Sequence, residues 1–128
     1  MTEPRQKIVP HLWFDGQAEE AVELYTSLFP DGQVRDVSRY AEAGQEVHGR
    51  PPGSVMSVDF ELAGHRMTAL NGGPHFRFTP AISFFVTVEA KDEVDRLWNA
   101  LSEGGAALMP LDAYDWSPRY GWVQDRFG

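Results

Sequence analysis

The feature that most constrains the fold of this chain is an amphipathic helix pattern that occurs twice. In the first copy, QAEEAVELYTSLFPDG, apolar residues recur at the three- and four-residue spacing of a helix face, and Pro30-Asp31-Gly32 ends the pattern. The second copy, KDEVDRLWNALSEGG, ends at Gly104-Gly105. Placing Tyr25 on Trp98 also aligns Ala21 with Val94, Leu24 with Leu97, Leu28 with Leu101 and Gly32 with Gly105. So many matches in one register indicate an internal duplication.

Segments with strand-like patterns surround both helices. KIVPHLWF precedes the first helix, and GQVRDVSRY, SVMSVDFEL and RMTALNG follow it, with a tight hairpin predicted at Ala63-Gly64-His65. TPAISFFVTV precedes the second helix, and AALMPL and RYGWVQD follow it. We therefore predict an α+β fold, a single domain over residues 1–128 built from two βαβββ modules at about 6–73 and 79–128. The second module has one strand fewer, so we expect its final strand to be missing from this chain.

Composition and charge narrow the classes of partner. Apolar residues make up 42% and charged residues 23%, which is typical of a globular protein, and the absence of cysteine excludes disulfides and thiolate chemistry. The formal charge of −8 and the dispersed arginines argue against nucleic-acid binding. No apolar stretch approaches the roughly 20 residues of a membrane span, and the polar N-terminus does not resemble a signal peptide. We expect a cytoplasmic protein with no membrane partner.

Three stretches together resemble a known family: IVPHLWFDGQAEEAVELYTSLFP, ALNGGPHFRFTPAISFFVTVE and SPRYGWVQDRFG. With the βαβββ pattern, they make the chain similar to the vicinal oxygen chelate superfamily, which includes glyoxalase I, extradiol dioxygenases and bleomycin-binding proteins. Within it, the chain looks like the PhnB-like group, often labelled 3-demethylubiquinone-9 3-methyltransferase. The resemblance implies curved mixed sheets around a substrate cup, and a homodimer. The sequence has no strand–glycine loop–helix of the kind that holds S-adenosylmethionine, so the label alone does not predict methyl transfer.

The resemblance also implies where a metal would bind. Metal-dependent members place His, Gln or Glu at inward positions of the first and fourth strands of each module. Matching strand by strand puts Val9 and Ser83 at first-strand positions, while the fourth strand of the first module offers Met67, Ala69 and Asn71, of which only Asn71 has an oxygen donor. We predict no metal ligands and no cofactor. A divalent metal remains an alternative if the first strand shifts by two residues and brings His11 into place.

Aromatic residues on or beside strands are the remaining clue to function. We predict a PhnB-like protein that binds a small organic molecule in an aromatic cup without metal, and we leave open whether it is an enzyme. The predicted substrate-binding residues are His11, Trp13, Met67, Asn71, Ser83, Phe85, Tyr120 and Trp122. His11 is the candidate catalytic residue, because imidazole suits proton transfer near neutral pH. The alternatives are a sequestering protein like the bleomycin-binding proteins, which would hold a cationic, planar ligand, and a metal-dependent lyase or dioxygenase.

Overall fold

The computed structural model describes residues 6–41 and 51–128, which divide into two compact units at the Arg77–Phe78 boundary. That boundary falls between the predicted limits of the two modules. In the first unit the elements are β1 (His11–Phe14), α1 (Ala18–Leu28), β2 (Gln33–Arg39), β3 (Val55–Leu62) and β4 (His65–Asn71). In the second they are α2 (Lys91–Ser102), β5 (Ala106–Tyr114) and β6 (Ser117–Gln124).

The first unit contains a four-stranded sheet in the order β1-β4-β3-β2. β1 runs parallel to β4, and the β4–β3 and β3–β2 pairs are antiparallel. The predicted hairpin between β3 and β4 is confirmed: its two loop residues, Ala63 and Gly64, both have positive φ, at 50° and 81°. This conformation matches the right-handed twist of the flanking strands and so fixes the register of the pair.

The helix α1 covers one face of this sheet and forms the core of the unit. Of its predicted apolar face, Ala18, Ala21, Val22 and Leu28 are buried, and Tyr25 and Phe29 are half-buried. The sheet residues buried on the same side are Phe14, Val58, Phe60 and Ala69. Because side chains alternate along a strand, these positions define the α1 face of the sheet, and the residues between them define the opposite face.

The second unit differs from the prediction at one element. The segment TPAISFFVTV (79–88) was predicted to be a strand. It forms no strand and pairs with no strand among the described residues. In the first unit, β1 is held by pairing with β4, the strand that follows a hairpin. After α2 the second unit contains only the antiparallel pair β5–β6, so the described residues supply no counterpart of β4 to pair with 79–88.

In the described residues the chain is thus a mixed α+β protein with open sheets, containing two helices and six strands. This arrangement fits a glyoxalase-like fold. None of the helices in the described ranges is long and apolar enough to cross a membrane.

Candidate functional site

Strand β4 places its predicted site residues on the α1 face. Asn71 and Met67 alternate with Thr68 and Leu70, and the buried Ala69 between them packs toward the helix. His11 and Trp13 of β1 lie on the opposite face, because their neighbour Phe14 is in the core. Met67 and Asn71 therefore lie on the face of β4 opposite to His11 and Trp13, and Thr68 and Leu70 are the β4 residues that share a face with those two.

Asn71 has a structural role at the start of α1. Its Oδ1 accepts a hydrogen bond from the backbone N–H of Ala18 at 2.9 Å. Its Nδ2 donates to Glu19 Oε1 at 2.7 Å and to the backbone oxygen of Val55 at 3.1 Å. Gln17, at the N-cap position, makes no side-chain cap of its own, so Asn71 supplies the missing acceptor from a neighbouring strand. Both N–H donors of the amide are used within the protein.

His11 is an exposed residue at the start of β1. A hydrogen bond to the backbone two residues earlier orients its ring. Its Nδ1 lies 2.9 Å from the backbone oxygen of Val9. A carbonyl oxygen can only accept, so Nδ1 carries the hydrogen in this contact. In the neutral imidazole, Nε2 is then the atom with a free lone pair, which is the form that a proton acceptor needs.

Trp13 is held rigidly by three contacts. Its Nε1–H donates to the backbone oxygen of Gly73 at 2.8 Å. Phe76 packs against it edge-to-face, with ring centroids 4.9 Å apart. The indole also lies so close to Gly72 that a Cβ on that residue would be 2.2 Å from Trp13 Cζ2. Gly72, the first glycine of the sequence LNGG, therefore has a specific role: because it has no side chain, the indole can approach the backbone.

A cleft of about 270 Å³ opens beside this tryptophan, at the end of β1 and β4. Its lining residues are Trp13, Tyr40, Met56, Leu70, Asn71, Gly72 and His75. The Tyr40 hydroxyl donates to the backbone oxygen of Asn71, as the indole N–H does to that of Gly73. The donors of both aromatic residues are thus satisfied within the protein.

A row of polar residues crosses the sheet next to the cleft, on the face opposite α1. His11 of β1 pairs with Thr68 of β4, Thr68 pairs with Asp59 of β3, and Asp59 pairs with Asp36 of β2. We call these four residues the polar row. The Thr68 hydroxyl donates to Asp59 Oδ1 at 2.8 Å. The next row on the same face begins with Trp13 and Leu70, so the polar row adjoins the wall of the cleft.

The other predicted site residues lie in the second unit. Ser83 and Phe85 are in segment 79–88, which forms no strand, and Phe85 is 75% exposed. Phe85 stacks on Tyr120 of β6, with centroids 5.9 Å apart. Tyr120 also contacts the rings of Tyr114 and Trp116, so the second unit has an aromatic cluster of its own. Trp122 is half-buried on the same strand and pairs with Met109 of β5.

Comparisons with known proteins identify the family. The family model of 3-demethylubiquinone-9 3-methyltransferase matches residues 6–128. The chain belongs to this PhnB-like family. A PhnB protein from Bacillus cereus is 39% identical, with a TM-score of 0.86 over 96% of this chain and 94% of that one. A Pseudomonas aeruginosa protein is 27% identical, with a TM-score of 0.76 over 97% of this chain and 92% of that one. No curated protein matches.

The residues of this PhnB-like protein do not fit a metal of the kind that the superfamily resemblance implies. The Asn71 side chain, the one oxygen donor among the expected ligand positions of β4, is occupied at the helix. Within residues 6–41 and 51–128, no group of three or more His, Asp or Glu side chains could hold an ion. We derive no chemical step through a metal.

Several residues that line the cleft of this PhnB-like protein carry no signal in the sequence. Leu70 was not predicted because alternation along β4 does not say which of its two faces meets the cleft. Tyr40 follows β2, and His75 follows β4 in a stretch that reads as a connection between modules. No local signal marks either residue, because a cleft is formed by segments that are distant in the sequence.

Proposed function

We propose that this PhnB-like protein binds a small organic molecule in the cleft beside Trp13, without a metal. The observation that carries the proposal is the wall of the cleft, which combines an indole, a phenol ring and aliphatic side chains in one concave surface. Binding sites for small molecules are concave and mostly apolar, with few polar groups. An aromatic or other flat apolar group is the part of a ligand that such a wall favours.

The rigidity of the wall supports the proposal. Trp13 is fixed by Gly73, Gly72 and Phe76, and Tyr40 is fixed by the backbone at Asn71. A side chain that is already ordered loses little conformational freedom when a ligand arrives, so more of the contact energy appears as affinity.

Spectroscopy of the indole N–H groups tests binding directly. We expect bicyclic aromatic probes such as 2-naphthylethanol to shift the Trp13 Nε1–H resonance in ¹H–¹⁵N spectra, because the ring current of a bound ligand acts on the nearest indole. Trp13→Leu should abolish binding. The matched control is Trp116→Leu, which removes an indole that is 64% exposed in the second unit. Loss of binding in Trp116→Leu with retention in Trp13→Leu would move the site to the second unit and refute the proposal.

If the bound molecule is also transformed, His11 is the residue we propose for proton transfer. Its Nε2 is free in the neutral ring, and it neighbours Trp13 on the same face of β1. The side chain of Asn71, one of the predicted substrate-binding residues, is used at the start of α1. His11→Ala should abolish turnover while the fold and the affinity for the ligand remain. Undiminished turnover in that variant rules the role out.

A binding or sequestering protein is the second candidate function. The observation that favours it is that the Trp13 indole N–H and the Tyr40 hydroxyl are both satisfied internally, so the aromatic wall of the cleft contacts a ligand by shape alone. Saturable binding at one molecule per chain, with recovery of the unchanged ligand after long incubation, distinguishes this function from catalysis.

A further inference from the structure

We propose that the ligand of the cleft carries an ammonium group, which lies over the polar row while its apolar part contacts Trp13 and Leu70. This inference rests on the proposed function and names the chemical class of the ligand. It follows from the donors and acceptors of the polar row, from its charge and from its position beside the cleft.

The polar row provides hydrogen-bond acceptors for a ligand, but every donor hydrogen in it is already used within the protein. The Thr68 hydroxyl hydrogen is used on Asp59, and the Nδ1 hydrogen of His11 is used on Val9. What remains is the Nε2 lone pair of neutral His11, the lone pairs of the threonine oxygen, and the carboxylate oxygens of two aspartates. A ligand must therefore supply the hydrogens, and an ammonium group supplies three.

Among the described residues neither aspartate of the row forms an ion pair, although Arg66 lies on the same face two residues from Thr68. Asp36 and Asp59 are direct cross-strand partners, an arrangement in which like charges repel. Asp36 accepts only the backbone N–H of Val37, at 2.9 Å. The arginine next to it, Arg35, pairs instead with Glu61 at 3.4 Å. A cation bound from outside would relieve the repulsion that the protein's own side chains leave in place.

The geometry of the strands fixes the distance between the two parts of the ligand. Trp13 and Leu70 lie two residues along β1 and β4 from His11 and Thr68, which at a rise of about 3.3 Å per residue is roughly 7 Å. A two-carbon chain between an aromatic ring and a nitrogen spans about that distance. An arylethylammonium is accordingly the simplest molecule that would meet both surfaces.

A series of three probes tests this inference: 2-naphthylethylamine, 2-naphthylethanol and 3-(2-naphthyl)propanoate. They share the aromatic part and differ in the group that would face the row. By isothermal titration at neutral pH and 0.15 M salt, we expect the amine to bind about tenfold or more tightly than the alcohol, and the carboxylate to bind weakest. Asp59→Asn keeps the shape and an acceptor for Thr68, and should weaken the amine about tenfold while leaving the alcohol nearly unchanged.

The matched control is Glu23→Gln, which removes the same charge from an exposed position of α1, on the other side of the sheet. It should leave all three affinities unchanged, and Asp36→Asn should resemble Asp59→Asn. Equal binding of amine and alcohol, or equal losses in Glu23→Gln and Asp59→Asn, would overturn the inference and leave the cleft as a binding site. Failure of all three probes to bind would refute the proposed function together with it.

Discussion

Replacing Gly72 by alanine tests whether close packing against the backbone holds Trp13 in the wall of the cleft. A Cβ built on Gly72 would lie 2.2 Å from Cζ2 and 2.4 Å from Cε2 of the indole. Neither distance is compatible with non-bonded carbon atoms, which meet at about 3.5 to 4.0 Å. The indole is a rigid ring rather than the flexible end of a side chain, so the whole ring must move.

The expected cost follows from three contributions. Forcing extra volume into a packed site costs about 1–3 kcal/mol. Movement of the ring also breaks the Nε1–H bond to Gly73, which contributes about 0.5–1.5 kcal/mol. Alanine restricts the unfolded chain and returns about 0.4–1 kcal/mol. We therefore expect Gly72→Ala to lower the free energy of unfolding by roughly 1–3 kcal/mol.

The assay is urea unfolding followed by far-UV circular dichroism, carried out as a double-mutant cycle with Trp13→Leu. If the clash with the indole is the cause, Gly72→Ala should cost little in the Trp13→Leu background, because the atoms it would meet are gone. The Trp13 indole resonance should also shift in Gly72→Ala alone. An unfolding free energy equal to that of the parent, or the same loss in both backgrounds, would refute the account of this site.

Three further changes test the core, the helix start and the polar row. Phe60→Ala should cost about 3–5 kcal/mol in urea unfolding, because the ring is fully buried under α1; a loss below 1 kcal/mol would contradict its place in the core. Asn71→Ala should cost about 1–3 kcal/mol by leaving the N–H of Ala18 without its acceptor, whereas an unchanged midpoint would show that water replaces the amide. Asp36→Asn should raise the unfolding free energy by about 0.2–1 kcal/mol by relieving repulsion with Asp59, and a decrease would disprove that repulsion.

Local patterns were sufficient to predict much of the first unit. The spacing of Ala18, Ala21, Val22 and Leu28 gave the buried face of α1 correctly, because a helix placed on a sheet has one side to bury. The hairpin at Ala63-Gly64 was also predictable, since Gly64 readily adopts the positive φ that a two-residue loop requires.

Information from distant segments was needed for the rest. The face of β4 depends on which of two alternating sets meets α1, and both sets contain apolar and polar residues. The segment 79–88 has the composition of a strand, but a strand forms only where a neighbour completes its hydrogen bonds. The pairing of His11 with Thr68, and hence the polar row, follows from a parallel register that no local pattern encodes.

The parallel pairing of β1 with β4 has a consequence for the order in which the protein forms during synthesis. Trp13 and Gly73, which it brings together, are 60 residues apart in the chain, whereas β3 and β4 meet through a two-residue loop. Closing a long loop costs more entropy than closing a short one, so the hairpin and α1 can form before β1 docks. A nascent chain that has not yet emerged as far as Gly73 can hold the helix and the antiparallel strands, but its cleft lacks a wall until the ribosome has released the last residues of the unit.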